Sequence, residues 1–406
     1  MGKEIKIYLD FNKFGFFLRK HWVWLLFWGI VLGLWILNYL GGRFWGIDYE
    51  LIKSYTRGYF YEGGFEKVAV AADSSYGSLA GFSKQRAAKD LHGARAFGFG
   101  ENGEVYVADT EKNRILALWD EDRDGVLENR EIFLEGIDSP GGIVYYQGLV
   151  LASAKGKLWL MQDTNQDHRA DISEELILDL PYGKYQTNHL SVNHQGIFYI
   201  AQGPTADEPI SDADSYEGTI LSYDLDSRKL RVLAKGFSNP LGIAVHPQNG
   251  DIFMSDSTRL SPGGRPEELN LVEKGHEYGW PECFGYDPER NCPQKVNALL
   301  EIIQGVGAAG MEFIKGDLFP PTYKNNLFIA LEGGKSGDPK KGRSVLRVRL
   351  TPASGTYQLK ASLFAKGFDR PVDIKEDLDG SLVILDSGSG ELIRIAPIYS
   401  AQPTEL

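Results

Sequence analysis

EVYVADTEKNRILALWD, residues 104–120, holds in one line the unit from which most of the chain is built. An apolar run closes on a small and an acidic residue, a polar turn follows, and an alternating strand leaves it. The same unit returns as LVLASAKGKLWLMQD from Leu149, and as IFYIAQG from Ile197 with its partner GTILSYDLD from Gly218. DIFMSDS from Asp251, NLFIALEGG from Asn326 with SVLRVRL from Ser344, and SLVILDSGSGELIRIA from Ser381 complete the set. Period-two alternation with Gly, Asn and Asp at the turns marks strands and hairpins. Repeats of this length, rich in short strands, are the pattern of a propeller whose blades are four-stranded sheets. The sequence therefore predicts an all-β, six-bladed β-propeller over residues 81–397, with 398–406 as a tail. The fourth copy shows no evident partner strand, and residues 259–285 are expected as a long loop at the channel mouth.

Upstream lies WVWLLFWGIVLGLWILNYL, residues 22–40, which carries no charge and is about as long as a bilayer-spanning helix of ~20 residues. Lys3, Lys6, Lys13, Arg19 and Lys20 precede it and only Arg43 follows closely. The positive-inside rule then keeps residues 1–21 in the cytoplasm and exports the body. No small-x-small site follows the apolar run, so it reads as a signal anchor rather than a cleaved peptide. The expectation is a single-pass protein of the cytoplasmic membrane, with a connector and first strand over 41–80 and the propeller in the periplasm or outside the cell.

The whole chain carries −12, and residues 1–43, with six basic and two acidic side chains, leave −16 on the remainder. A body this acidic is a poor partner for nucleic acid, whose affinity comes largely from Lys and Arg on phosphates. Cys283 and Cys292 are the two cysteines, and in an exported domain they read as a disulfide.

DEDRDGVLENRE, residues 120–131, places Asp120, Asp122, Asp124, Glu128 and Glu131 at the side-chain positions of a twelve-residue calcium loop, with Gly125 at its sharp turn. DTNQDHRADISE, residues 163–174, repeats the pattern with Asp163, Asn165, Asp167, Asp171 and Glu174, but puts His168 at the glycine position. Both are expected as structural calcium turns. The alternative is a pair of acidic, solvated turns that share a spacing.

GFSNPLGIAVHPQNG from Gly236, EELNLVEKGHEYGWP from Glu267, FPPTYKNNLFIALEGG from Phe319 and RPVDIKEDLDGSLVILDSGSGELIRI from Arg370 together resemble the PQQ-dependent glucose/sorbosone dehydrogenase family. The resemblance runs from about Gly93 to Ile395 and implies a six-bladed quinoprotein propeller. It also implies a sugar-type substrate, a PQQ cofactor with calcium, a histidine base and cationic side chains on the cofactor's carboxylates. Asn239 matches a cofactor neighbour and Arg259 an arginine after the fourth-blade strand. The family's base histidine falls on Tyr185 in LPYGKYQTNHLSVNHQG from Leu180, and a family arginine falls on Gly337. His189 and His194 lie near the displaced base, and Arg343 is among the cations that could replace the arginine.

Two readings follow. One is a membrane-anchored sugar/sorbosone dehydrogenase-like propeller with a rearranged site, in which Tyr185 and His189 are the catalytic candidates and an electron-transfer or other membrane-protein partner is implied. The other is a non-catalytic propeller serving as a binding or assembly module in a membrane complex.

Overall fold

The computed structural model describes residues 81–398 apart from 186–187, 207–214, 258–265, 284–294, 304, 334–341 and 354. The expected anchor at 22–40, the connector at 41–80, the tail beyond 398, Arg259, Cys292 and Gly337 lie outside the described residues. Among those described, no helix is long and apolar enough to cross a membrane.

Six four-stranded antiparallel sheets succeed one another along the chain. Blades one to five occupy 96–135, 140–177, 190–235, 240–302 and 308–366, each threading its strands in order from the innermost outwards. Blade six is composite. Pro371–Glu376, Leu382–Asp386 and Glu391–Pro397 supply three strands, and Phe82–Ala88 from the start of the described chain pairs with Glu391–Pro397 as the fourth. This pairing joins the start of the described propeller to its end and closes the ring.

The core lies between the faces of adjacent blades. Phe97, Val107 and Leu116 of blade one pack with Val372, Val383 and Leu385 of blade six. Tyr199 and Ile220 of blade three meet Ile243 and Met254 of blade four. Alternation along each strand makes this possible, since one set of side chains faces the preceding blade and the other the following one.

Close approach near the channel is fixed by one position. A Cβ on Gly242 would lie 2.0 Å from the Ala309 oxygen of the next blade, and one on Gly142 would lie 2.4 Å from the Asn188 oxygen. Ser255 and Ser153 secure the same contacts, each accepting the glycine amide and donating its hydroxyl to that neighbouring carbonyl.

Blade four departs from the sequence expectation. The stretch expected as loop contains its third strand, Glu267–Val272, paired along Ile252–Asp256, with Leu300–Ile302 outside it. Glu267, Glu268 and Asn270 are buried there, so polar residues occupy positions where a strand pattern requires apolar ones.

Candidate functional site

The innermost strands begin, and the second strands end, on the same face of the ring. There a cavity of about 890 Å³ opens, lined by five blades and by the segment before blade three. Arg95 and Thr110 come from blade one, Ser139 and Gly141 from blade two. The segment before blade three gives Tyr182, Lys184 and Tyr185, and blade four gives Asn239, Leu241 and Ser257. Glu332, Gly333 and Arg343 come from blade five; Asp369, Arg370 and Gly388 from blade six.

A single register explains four of these. Arg95, Ser139, Asn239 and Arg370 each directly precede the innermost strand of their blade, so in four of the six blades the repeat itself delivers one side chain to the mouth.

The mouth is cationic on an acidic protein. Arg95, Lys184, Arg343 and Arg370 line it against Glu332 and Asp369. Arg343 pairs with Asp369 at 3.1 Å, and Arg95 lies 3.9 Å from Glu332. Arg370 donates to the Ser387 hydroxyl at 2.9 Å, yet its buried Nε has no partner, and neither has the buried Oδ1 of Asn239. A buried polar atom without a partner is costly, so two of them beside one cavity favour a ligand that supplies partners.

Beneath blade four's rim, Asp256 accepts the backbone amides of Ser238 and Asn239 at 2.9 and 2.6 Å, which fixes the loop that presents Asn239. Burial, reinforced by the charge of Glu268, pushes the Asp256 carboxyl up to about 7. Glu267, which accepts the amide of Gly307 at 2.9 Å, is likewise pushed by burial to about 7.

The structure brings Tyr185 and Asn239 together in this cavity. His189 lies outside its lining. It directly precedes Leu190–Val192, the innermost strand of blade three, where its oxygen accepts the Ala201 amide at 3.0 Å, and burial lowers its imidazole to about 4. His194 is exposed in the turn after that strand. Arg343 does line the mouth. Arg95, Arg370 and Lys184 were not read from the sequence as site residues, although the register before each innermost strand was available to find the two arginines.

The expected calcium residues lie at the opposite face, in the turns between third and fourth strands, except Glu131 and Glu174, which lie near the start of the fourth strands. Asp120, Asp122 and Asp124 bring carboxylate oxygens within 4.8 Å of one another. Asp120 caps the amides of Arg123 and Gly125, and Gly125 adopts φ +90°. In the second turn Asp163 caps Gln166 and His168 in the same way. His168 adopts φ +65° and stacks on Trp119 of the first turn, ring centroids 3.8 Å apart. Glu128 accepts the Glu121 amide within its own turn. Asn165 and Asp167 bond within theirs, and Asp171 accepts Thr164 there. Glu131 instead pairs with Arg169, and Glu174 with Arg228 of blade three. These two carboxylates thus tie neighbouring blades.

With the geometry established, comparison with known proteins gives two kinds of likeness. Residues 85–386 match the family described as a domain of unknown function, DUF7133. The chain belongs to that family. An uncharacterized protein of Borreliella burgdorferi is 24% identical over 304 residues, covering 66% of this chain and 79% of its own.

Among solved structures, a Trichoderma reesei carbohydrate-active enzyme of family AA12 is similar at a TM-score of 0.69 and 15% identity, over 81% of this chain and 100% of that one. The holo PQQ domain of Coprinopsis cinerea pyranose dehydrogenase gives a TM-score of 0.66 at 17% identity, over 81% and 99%. The soluble aldose sugar dehydrogenase of Escherichia coli, in its apo form, gives 0.62 at 17%, over 78% and 100%. At these identities the likeness establishes the six-bladed fold.

Proposed function

We propose that this chain is a membrane-anchored, extracytoplasmic relative of the PQQ-dependent sugar dehydrogenases whose mouth holds a planar polyanionic cofactor. The observation that carries the reading is the convergence of Arg95, Arg343, Arg370 and Lys184, from different blades, on one cavity that also leaves Arg370 Nε and Asn239 Oδ1 without partners. The cofactor's carboxylates fit this donor set, because guanidinium and ammonium groups make charge-assisted hydrogen bonds to carboxylates. PQQ, when bound, supplies a quinone that accepts hydride from a sugar carbon. The arginines of blades five, six and one would hold and orient it, and Asn239 would accept a hydrogen bond from cofactor or substrate. Tyr185 would hydrogen-bond the reacting hydroxyl.

A phenol is a poorer general base than an imidazole at neutral pH. Tyr185 at the base position therefore favours the second reading, a propeller that binds ligand and serves as a module in a membrane complex with little turnover of its own. Calcium at the Asp120 turn, and with it the Asp163 turn, has a structural role in either reading, as has a Cys283–Cys292 disulfide. The anchor at 22–40 holds the propeller against the outer surface of the cytoplasmic membrane, where an electron-transfer or other membrane partner can reach it.

The test is titration of the detergent-solubilised full-length chain with PQQ in the presence of calcium, followed by tryptophan fluorescence. Saturable binding is expected, weakened in Arg370→Ala by roughly 10- to 100-fold, the scale of a charged hydrogen bond. No saturable binding would remove the cofactor and leave the binding module.

A further inference from the structure

Among the described residues seven large hydrophobic side chains are exposed, and Tyr182, at 44%, is the one aromatic in that group and the one that borders the cavity. An exposed aromatic ring on the lip of a polar cavity presents a large, rigid, apolar face at low conformational cost.

Its position is built rather than incidental. The Leu180 amide donates to the Gly156 oxygen at 2.8 Å and the Lys184 amide to the Thr205 oxygen at 2.8 Å. Between them the Pro181 oxygen accepts from Gln202 Nε2 at 2.8 Å. Gly156 leaves no room for a side chain beneath this segment, since a Cβ there would lie 2.6 Å from the Leu180 oxygen and 3.6 Å from the Tyr182 Cβ. Lys155, itself held by Asp138 at 2.8 Å, sets its ammonium 5.6 Å from the ring centroid.

The surroundings divide the mouth by chemistry. Three arginines come from blades five, six and one, while the side that carries Tyr182 has one cation, Lys184, over the Tyr185 ring, beside the hydroxyls of Ser139 and Ser257 and the amide of Asn239. The second half suits a neutral polyhydroxylated ring, with its C–H face on Tyr182 and its hydroxyls on Ser and Asn. The cavity volume lies near the upper end of the ~300–1,000 Å³ typical of small-ligand sites, which leaves room for a sugar beside a cofactor. A ring stacked on an exposed lip residue can continue into solvent, whereas one buried on the floor cannot.

We infer that Tyr182 is a specificity-determining platform for the second ring of an oligosaccharide, so that the site selects glycan ends over free monosaccharides. The inference rests on the sugar-binding part of the proposed function, and its failure is separable from failure of the cofactor reading.

The experiment compares binding of glucose, cellotetraose and maltotetraose to the full-length chain in detergent by isothermal titration calorimetry, for the unmodified protein, Tyr182→Ala and Tyr182→Trp. PQQ affinity is measured on each variant as the folding control. At least one tetraose is expected to bind more tightly than glucose. Tyr182→Ala should lose about two- to tenfold of that tetraose affinity, with glucose and PQQ unchanged, and Tyr182→Trp should restore it. Equal loss for glucose and tetraose, or no tetraose binding, overturns the platform even if PQQ binds. Tyr182-dependent tetraose binding without any PQQ binding keeps the platform and removes the dehydrogenase reading.

Discussion

In the turn after the third strand of blade one, Asp120 lies at the surface and accepts two amides of its own loop, whereas at the mouth end of blade four Asp256 is buried and holds two amides of the loop that carries Asn239. Both carboxylates shape a turn by capping backbone donors. Their surroundings differ. On the turn face, hydrogen bonds hold Glu131, Asp171 and Asp224 below their ordinary range, first through backbone amides or the Thr164 hydroxyl. At the mouth, burial drives Asp256 and Glu267 upward despite the amides they accept. On the turn face these carboxylates are answered by backbone amides, a hydroxyl or an arginine of the next blade. The mouth keeps buried charge, unpartnered atoms and surplus cations, the condition of a surface finished by a ligand.

If the mouth lacks chiefly its proton acceptor, restoring one there should produce the largest effect in the molecule. A positioned general base contributes typically 10²- to 10⁴-fold in rate. Tyr185→His, reconstituted with PQQ and calcium, is expected to oxidise aldoses at least ~10²-fold faster than the unmodified chain in a dye-linked assay. Ordinary turnover by the unmodified chain, on the order of 10 per second, would mean that the mouth is already complete and erase the contrast with the turns.

The blades were legible because alternation and turn residues are local signals, and each repeat carries both. Blade four's third strand was not, because Glu267, Glu268 and Asn270 are buried by partners elsewhere in the fold: Glu267 meets the amides of Gly307 and Ala308, forty residues away or more. Site legibility divides in the same manner. Tyr185 and Asn239 were found through motifs, while Arg95 and Arg370 join the site through a register shared between blades, a relation visible only when the repeats are superposed. His189 shows the converse. Its nearness in sequence to Tyr185 suggests a shared site, yet it is buried outside the cavity's lining, where charges of blades six and one act on its imidazole.

Metal removal tests the turn face next. A ligand bound only to the folded state stabilises it by about 2.7 kcal/mol at a concentration one hundred times its dissociation constant. Chelation is therefore expected to lower the thermal midpoint by several degrees, and Asp122→Ala with Asp124→Ala should abolish that response together with the bound calcium. In the second turn, which puts His168 against Trp119 where the first has Gly125, a smaller share of the response is expected. Unchanged melting and metal content in the double variant would reduce the first turn to the self-capped loop already visible in its hydrogen bonds.

The smallest effect compares the two sets of carboxylates through pH. Asp256 and Glu267 have folded values raised to about 7, above the ordinary carboxylate range, so the folded state retains protons that the unfolded state has released. Their contribution is therefore greatest at low pH and is lost as pH rises through about 7, at up to about 1.4 kcal/mol per pH unit for each group. His189, lowered to about 4, acts in the opposite sense below about 6.5, because its unfolded form takes up a proton that the folded form refuses. The lowered turn carboxylates stabilise above their ordinary values and lose that contribution only as pH falls below about 4, outside this window. Urea midpoints should accordingly fall from pH 6 through 7 and level off above that, His189 opposing part of the loss at the acid end. Asp256→Asn should flatten the slope by more than half, since His189 still opposes the one carboxylate left, while leaving the response to chelation intact. A flat profile in the unmodified protein would show that the mouth carboxylates ionise as freely as those of the turns, and the distinction between the two ends would then rest on the arginines alone.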